Sequence, residues 1–194
     1  MGTPTIGTVK SSDRERALST LTVAFTTDPI ARWAFPDPQQ YLTYFPQIAT
    51  AMGGAAFENN GAFCSDDFGG ACLWLPPDVH PDEEAVGKVA EKAIVADEQE
   101  KVFGFLEQMG EYHPTERHWY LPFIGVDPRK QGAGYGSALL KHALKNADRD
   151  QLPAYLEATS AGSKRLYERF GFKAIGEIQS GDSPTLWPML RKPQ

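Results

Sequence analysis

The sequence predicts an α/β protein of the mixed α+β kind, a single domain over residues 1–194 in which helices flank a mixed β-sheet. Three observations predict it. From Trp119 onward an apolar strand, a glycine loop, an amphipathic helix and a second apolar strand follow one another, the order of a parallel βαβ unit. Earlier, two short apolar runs bracket the turn Asp66-Asp67-Phe68-Gly69-Gly70, as in an antiparallel hairpin. No linker-like stretch divides the 194 residues, which at 41% hydrophobic content suffice for one full core.

Thr5 to Lys10 reads as the first strand. Ser12-Asp13-Arg14-Glu15 has the spacing of a capping box, in which the Ser hydroxyl and the Glu carboxylate satisfy free N–H groups at a helix start. Ala17, Leu18, Leu21, Ala24 and Phe25 then repeat at helical spacing, and Asp28-Pro29 stops the helix. A Pro-rich aromatic loop with Trp33, Phe35, Pro36 and Pro38 is expected next. Asp37-Pro38 reads as an N-cap with Pro at the first helical position. Leu42, Phe45, Ile48, Ala49 and Met52 supply that helix's apolar face, and Gly53-Gly54 ends it.

The hairpin strands are expected at Ala62–Ser65 and Ala71–Leu75, the second stopped by Pro76-Pro77. Asp82 to Tyr112 carries helical periods in Val86, Val89, Ala90, Ala93 and Ile94, and again in Phe103, Leu106 and Met109, so it reads as one interrupted helix or two. Trp119–Val126 is a strongly apolar strand with Pro122 in its middle. A mid-strand Pro removes a ladder donor and so marks an edge, a bulge or a separation of strands. A helix from about Gly134 to Ala147, a strand at Ala154–Ala158, a short helix from Ala161 to Phe170, and strands near Phe172–Ile178 and Thr185–Leu190 complete the order.

The formal net charge is −6, from 19 basic and 25 acidic residues, which argues against nucleic acid or an anionic membrane as partner. The first seventeen residues lack an apolar core of signal-peptide length and no run is long enough to span a bilayer, so a cytoplasmic protein is expected. Cys64 and Cys72 could face each other across the hairpin, but two buried free thiols are the expectation for that compartment. Without a nearby His pair they make no zinc site, and no metal is expected.

The stretch from Val126 to Ser137, Val-Asp-Pro-Arg-Lys-Gln-Gly-Ala-Gly-Tyr-Gly-Ser, is the most informative in the chain. Its glycines let the backbone turn tightly and approach a ligand. The helix that follows has apolar residues at Leu140, Ala143, Leu144 and Ala147, so the loop presents free N–H groups at a helix N-terminus, where the dipole favours an anion. A phosphate or pyrophosphate suits it. A nucleoside-triphosphate loop needs Gly-Lys before Ser or Thr, and Tyr135-Gly136-Ser137 lacks that Lys. A dinucleotide fingerprint would use Gly132, Gly134 and a third Gly where Ser137 stands, with Glu157 near the position of the ribose acid. A turn without any ligand is the remaining alternative.

The loop also reads Q-x-x-G-x-G at Gln131, Gly134 and Gly136, directly after the strand ending in Val126-Asp127-Pro128. A second motif follows at Leu156-Glu157-Ala158-Thr159-Ser160 and Leu166-Tyr167-Glu168-Arg169-Phe170-Gly171-Phe172. Together they resemble the acetyl-CoA-binding motifs of the GNAT superfamily of N-acetyltransferases. The runs His118–Val126 and Thr185–Pro193 are similar to puromycin-type and related small-molecule acetyltransferases. The resemblance is clear over Trp119 to Pro193; before that it is one of element order only. It implies a centrally splayed sheet, with acetyl-CoA as cosubstrate lying in the gap. It further implies backbone contacts from Ile124, Gly125 and Val126 to the pantetheine arm, and pyrophosphate contacts from Gln131, Gly132, Ala133, Gly134, Tyr135, Gly136 and Ser137. The resemblance also places Ser160 and Tyr167 against the cofactor; relatives often carry Asn where this chain has Ser160, whose hydroxyl can cap the next helix equally well and still offer a polar contact.

The activity so implied is acetyl transfer to a primary amine of a small-molecule acceptor by direct attack in a ternary complex, by a monomer or homodimer. The resemblance assigns Tyr167 as general acid toward the departing sulfur, since a phenol keeps its proton at neutral pH. A backbone N–H of the Ile124–Val126 strand is the expected oxyanion donor. Glu157 is the leading base, with His118, Tyr120, His113, Glu107 or a water chain as competitors. Trp33, Phe35 and Trp74 are candidates for an aromatic acceptor pocket, and Asp28 for a cation partner or a turn residue beside Pro29.

Overall fold

A computed structural model describes residues 4–194. The chain runs through β1 (Ile6–Thr8), a 3-10 turn (Ser11–Asp13), α1 (Arg14–Ala24), α2 (Pro29–Ala34), α3 (Pro38–Gly53) and α4 (Ala55–Glu58). The hairpin is β2 (Ala62–Ser65) and β3 (Gly70–Leu75), followed by α5 (Glu83–Ala93) and α6 (Ala96–Tyr112). Then come β4 (Trp119–Val126), a 3-10 turn (Pro128–Lys130), α7 (Tyr135–Arg149), β5 (Ala154–Ala158), α8 (Ala161–Glu168), β6 (Lys173–Ala174) and β7 (Trp187–Arg191). All seven strands form one sheet in the order β1-β2-β3-β4-β5-β7-β6. Only β4 and β5 run parallel, as the strand–loop–helix–strand order predicts.

That parallel pair is short. Trp119, Tyr120 and Leu121 stand opposite Ala154, Tyr155 and Leu156, and pairing stops at Pro122. On the other side of β4, the register against β3 shifts between Leu73 and Leu75, so that Leu121 and Pro122 together oppose Trp74. Pro122 has no N–H to give the ladder, and the sheet opens there. Beyond it Glu157 and Ala158 pair only with β7.

Each face of the sheet carries its own core. Leu21, Phe45, Ala90, Tyr120, Phe123 and Tyr155 pack together under α1, α3 and α5. Trp74, Trp119, Leu140, Leu156, Tyr167 and Met189 pack on the face that carries α7 and α8. Strand periodicity sorts them, since Tyr120 and Leu121, or Tyr155 and Leu156, point to opposite faces. The same rule separates the cysteines. Cys64 stands opposite Ala71 and Cys72 opposite Phe63, so the two buried thiols lie on different faces and remain free.

Four local expectations are corrected. The capping box at Ser12–Glu15 does not form: α1 starts at Arg14 after the 3-10 turn, with no side-chain cap from Asp13. The Pro-rich loop contains a helix, α2, because the Asp28 side chain accepts from the Ile30 and Ala31 N–H groups and Pro29 sets the first helical φ. In α3, Tyr41 takes the buried position and Leu42 is 61% exposed. The strand expected over Phe172–Ile178 shrinks to two residues plus an isolated bridge from Ile178 to Leu186. The interrupted helix of the 82–112 region resolves into two, α5 and α6, with Asp82 capping the first.

Candidate active site

The opening between β4 and β5 is the start of a cleft of about 500 Å³. Its walls are the free edge of β4, the glycine loop with the start of α7, and the start of α8. Pro122, Ile124 and Val126 alternate along β4 as partly exposed residues, while Phe123 and Gly125 are buried on the other side. Gly125 has no room for a side chain: a Cβ there would lie 2.6 Å from the Ala24 Cβ of α1.

The loop is built for backbone contact. Gly132 and Gly134 hold φ of 75° and 88°, a region that disfavours residues with a Cβ. Gly134 is the N-cap of α7 and offers no side chain to its first turn. The opening N–H groups of that helix therefore lack an intrahelical partner and a cap, the state in which they bind anions. The Gln131 amide closes the loop by donating to the Val126 carbonyl at 3.4 Å. Lys130 and Arg169 add cationic side chains to the cleft.

Every expected cofactor contact except one lines this cleft: Ile124, Gly125, Val126, Gln131, Gly132, Gly134, Tyr135, Gly136, Ser137, Ser160 and Tyr167. Ala133 stands outside, and its N–H donates back to the Lys130 carbonyl. The Tyr135 hydroxyl donates to Asp67 of the hairpin turn at 2.7 Å, beside Lys130, which also pairs with Asp67. Lys130 first, then Tyr135, holds the Asp67 carboxyl well below the usual carboxylate range. Ser160 caps α8 in a reciprocal box with Ser163, each side chain accepting the other's N–H at 3.1 Å.

A second cavity, of about 140 Å³, opens from the other side of the gap between α2, α3, α5 and α6. It meets the cleft at Phe25, Asp28, Pro122, Glu157 and Thr159, which line both. Glu157 sits at this junction. Its Oε2 accepts from the Tyr120 hydroxyl at 3.0 Å, and its Oε1 is buried with no partner. Burial pushes its pKa up to about 7, against the opposing influence of the Tyr120 and Tyr155 hydroxyls. The Tyr155 hydroxyl, on the same sheet face, is also buried without a partner.

Asp28 caps α2 and accepts from the Thr159 hydroxyl of the β5–α8 turn. Burial raises its pKa, and those hydrogen bonds oppose the rise. The turn role expected for it beside Pro29 is the one its hydrogen bonds form, and its side chain also lines both cavities. Tyr167 is buried beneath the cleft floor against Phe172, ring centroids 6.0 Å apart. Burial, then the charge of Asp28, raises its phenol above the ordinary value, so it is a neutral hydrogen-bond donor at pH 7.

The other base candidates separate cleanly. Tyr120 touches Glu157. His113 and His118 stack behind Tyr120 and Tyr155, with Nε2 atoms 3.1 Å apart, and line neither cavity. Glu107 is exposed on α6. Trp33 and Phe35 line the apolar cavity, but Trp74 is core on the opposite face. Lys130, Arg169, Thr159 and the junction role of Asp28 escaped the sequence reading. Lys130 stands inside the loop motif and Thr159 and Arg169 inside the second motif, none with a role assigned, whereas Asp28 is brought to the junction by folding alone. Among the described residues no three His, Cys, Asp or Glu side chains cluster as metal ligands, and no helix is long and apolar enough to cross a membrane.

A mixed sheet splayed beside a glycine loop, with an acid at the split, gives a cleft suited to an extended anionic ligand beside a second, apolar cavity. The single parallel pair is not the doubly wound sheet of a dinucleotide enzyme. Residues 61–172 match the model of the acetyltransferase (GNAT) family, and the chain belongs to that family. An uncharacterized N-acetyltransferase of Schizosaccharomyces pombe is 24% identical over 96% of this chain and 82% of its own length. Two crystal structures share the fold across the whole chain. One is a histone acetyltransferase HPA2 and related acetyltransferase from Corynebacterium glutamicum, with a TM-score of 0.71, 24% identity and 98% of its chain covered. The other is arylalkylamine N-acetyltransferase 2 from Aedes aegypti, with a TM-score of 0.69, 17% identity and all of its chain covered. These matches support the family rather than any one branch of it.

Proposed function

We propose that residues 1–194 act as one acetyl-CoA-dependent N-acetyltransferase domain that modifies a primary amine of a small molecule by direct attack in a ternary complex. The observation that carries this reading is the meeting of two cavities at Glu157. One has the loop, the helix N-terminus and the cationic side chains that suit a pyrophosphate; the other is apolar. The cleft fits the cosubstrate by its donors: uncapped N–H groups of α7, Lys130 and Arg169, and a β4 edge that Pro122 leaves unpaired with β5. When bound, acetyl-CoA supplies the acetyl group as a thioester, whose C–S bond breaks as the amide N–C bond forms.

Glu157 takes a proton from the incoming ammonium, because an amine attacks only when neutral. Its Oε1 is the free oxygen, and Tyr120 holds Oε2 in place. A base near 7 is matched to work at neutral pH. Tyr167 donates a hydrogen bond toward the departing sulfur, which takes up the proton that the acetylated nitrogen sheds and leaves as the free thiol. Its raised pKa makes it a better donor of a hydrogen bond than of a whole proton. Backbone N–H groups of Ile124–Val126 serve the developing oxyanion. Two free thiols that cannot pair suit a cytoplasmic setting.

The test is acetyl-CoA-dependent release of free thiol with a panel of primary amines. Turnover that falls on the order of 10²-fold or more in Glu157→Gln, with the acetyl-CoA KM within about threefold of wild type, supports the assignment. Binding of acetyl-CoA without thiol release for any amine would mean a non-catalytic acyl-CoA-binding module instead.

A further inference from the structure

The acceptor cavity is specific in what it lacks. Trp33, Ile94, Val102, Phe105, Leu106 and Met109 form its inner wall. Among the described residues the only charged side chains that line it are Asp28 and Glu157, both at the junction with the cleft. Asp28 is mostly occupied, with Oδ1 accepting two N–H groups and Oδ2 the Thr159 hydroxyl. The carboxylate oxygen without any partner is the buried Oε1 of Glu157. The cavity thus offers its carboxylates at its mouth and none in its depth.

Size narrows the choice further. The cavity of about 140 Å³ is close to an engineered apolar cavity of about 150 Å³ that takes up benzene. One aromatic ring or a short alkyl chain fills such a space. A second ammonium or a guanidinium carried into this depth would lose its water and find no acceptor or counter-charge. Trp33 is tied from outside, its Nε1 donating to Asp182 at 3.3 Å, and its ring packs on Phe105 at 5.4 Å, so the inner wall is braced in place.

We infer that the acceptor is an apolar monoamine, an arylalkylamine or short alkylamine, whose body fills the cavity between α2, α5 and α6 while its one amine sits at Glu157. The inference rests on the acetyl-transfer reading above. Polyamines and amines with a second cation are poor substrates by the same geometry.

The experiment measures kcat/KM by thiol release for phenethylamine and hexylamine against putrescine, spermidine and agmatine, with acetyl-CoA binding followed separately by calorimetry. The expected result is a preference of at least 10²-fold for the two apolar amines. Val102→Trp fills the cavity from α6, and should cut kcat/KM for phenethylamine at least tenfold while acetyl-CoA affinity by calorimetry stays within threefold. Equal or faster turnover of the polyamines would overturn the acceptor class and leave acetyl transfer standing. Full phenethylamine activity in a folded Val102→Trp protein would show that the body binds elsewhere. Acetyl-CoA binding with no thiol released for either group would overturn both readings.

Discussion

Replacing Glu157 by Gln should move two observables in opposite directions. Activity falls, as above, and the ascending limb of kcat/KM near pH 7 disappears, leaving only the titration of the free amine. Stability at high pH rises. In the fold this carboxyl titrates near 7, against 4.5 in an unconstrained Glu. The folded state therefore holds an extra proton between those values, and stability declines as pH climbs from about 4.5 to about 7. Removing the charge abolishes that loss, worth up to about 3 kcal/mol above pH 7. Urea unfolding of both proteins at pH 5 and pH 8 checks it: a wild-type advantage at pH 8 would contradict the burial argument.

His113 works in the opposite sense. Burial first, then His118 and His80, lower its pKa to about 4. Its contribution is complete above the ordinary value of 6.5 and is lost as pH falls toward 4, because the unfolded chain binds the proton more readily. His113→Phe, which keeps a ring against Tyr120 and Tyr155, should flatten that acid limb in a thermal-melt series from pH 4 to pH 7. An unchanged limb would assign the acid sensitivity elsewhere. For Tyr167→Phe the expectation is a kcat on the order of 10²-fold lower with acetyl-CoA affinity unchanged; an unaltered kcat would make the residue purely a core aromatic packed on Phe172.

At the scale of elements, the glycine loop, α7 and the two strands around them were legible because glycine spacing, helical period and apolar runs are local signals. Pro122 marked an edge, a bulge or a separation of strands, and the family resemblance pointed to the opening among these. The helix α2 was hidden, since six residues show no period and its start depends on what Asp28 does in three dimensions. The apolar cavity was half visible: Trp33 and Phe35 belong to it, but Trp74 shares the face of Cys72, two residues earlier on β3, and so packs in the opposite core. Two elements far apart in sequence are pinned by Arg191 of β7, which is 3% exposed and makes a bidentate pair with Asp148 of α7 at 2.7 and 3.0 Å. Its Nε also donates to the Phe170 carbonyl at 2.8 Å. Arg191→Ala leaves both acceptors short of a donor. It should cost on the order of 3 kcal/mol and lower Tm by roughly 10 °C in calorimetric melting. A shift under about 2 °C would mean that the pair is worth no more than a surface one.

For the molecule as a whole, what the sequence could not display is the junction. Asp28 and Phe25 come from the α1–α2 corner, Pro122 from β4, and Glu157 and Thr159 from β5 and its turn. Only the closed sheet brings them together. Under the proposed function their convergence joins the glycine loop and the apolar cavity into one reaction path, and loop chemistry alone left several ligand classes open. The cosubstrate is the hinge of this account. Calorimetric titration with acetyl-CoA, with NAD as control, should give saturable binding for acetyl-CoA alone. It should weaken at least tenfold in Gly134→Val, where a β-branched residue cannot hold φ near 88°. Binding of NAD in place of acetyl-CoA by the folded protein, or acetyl-CoA binding indifferent to Gly134→Val, would contradict it.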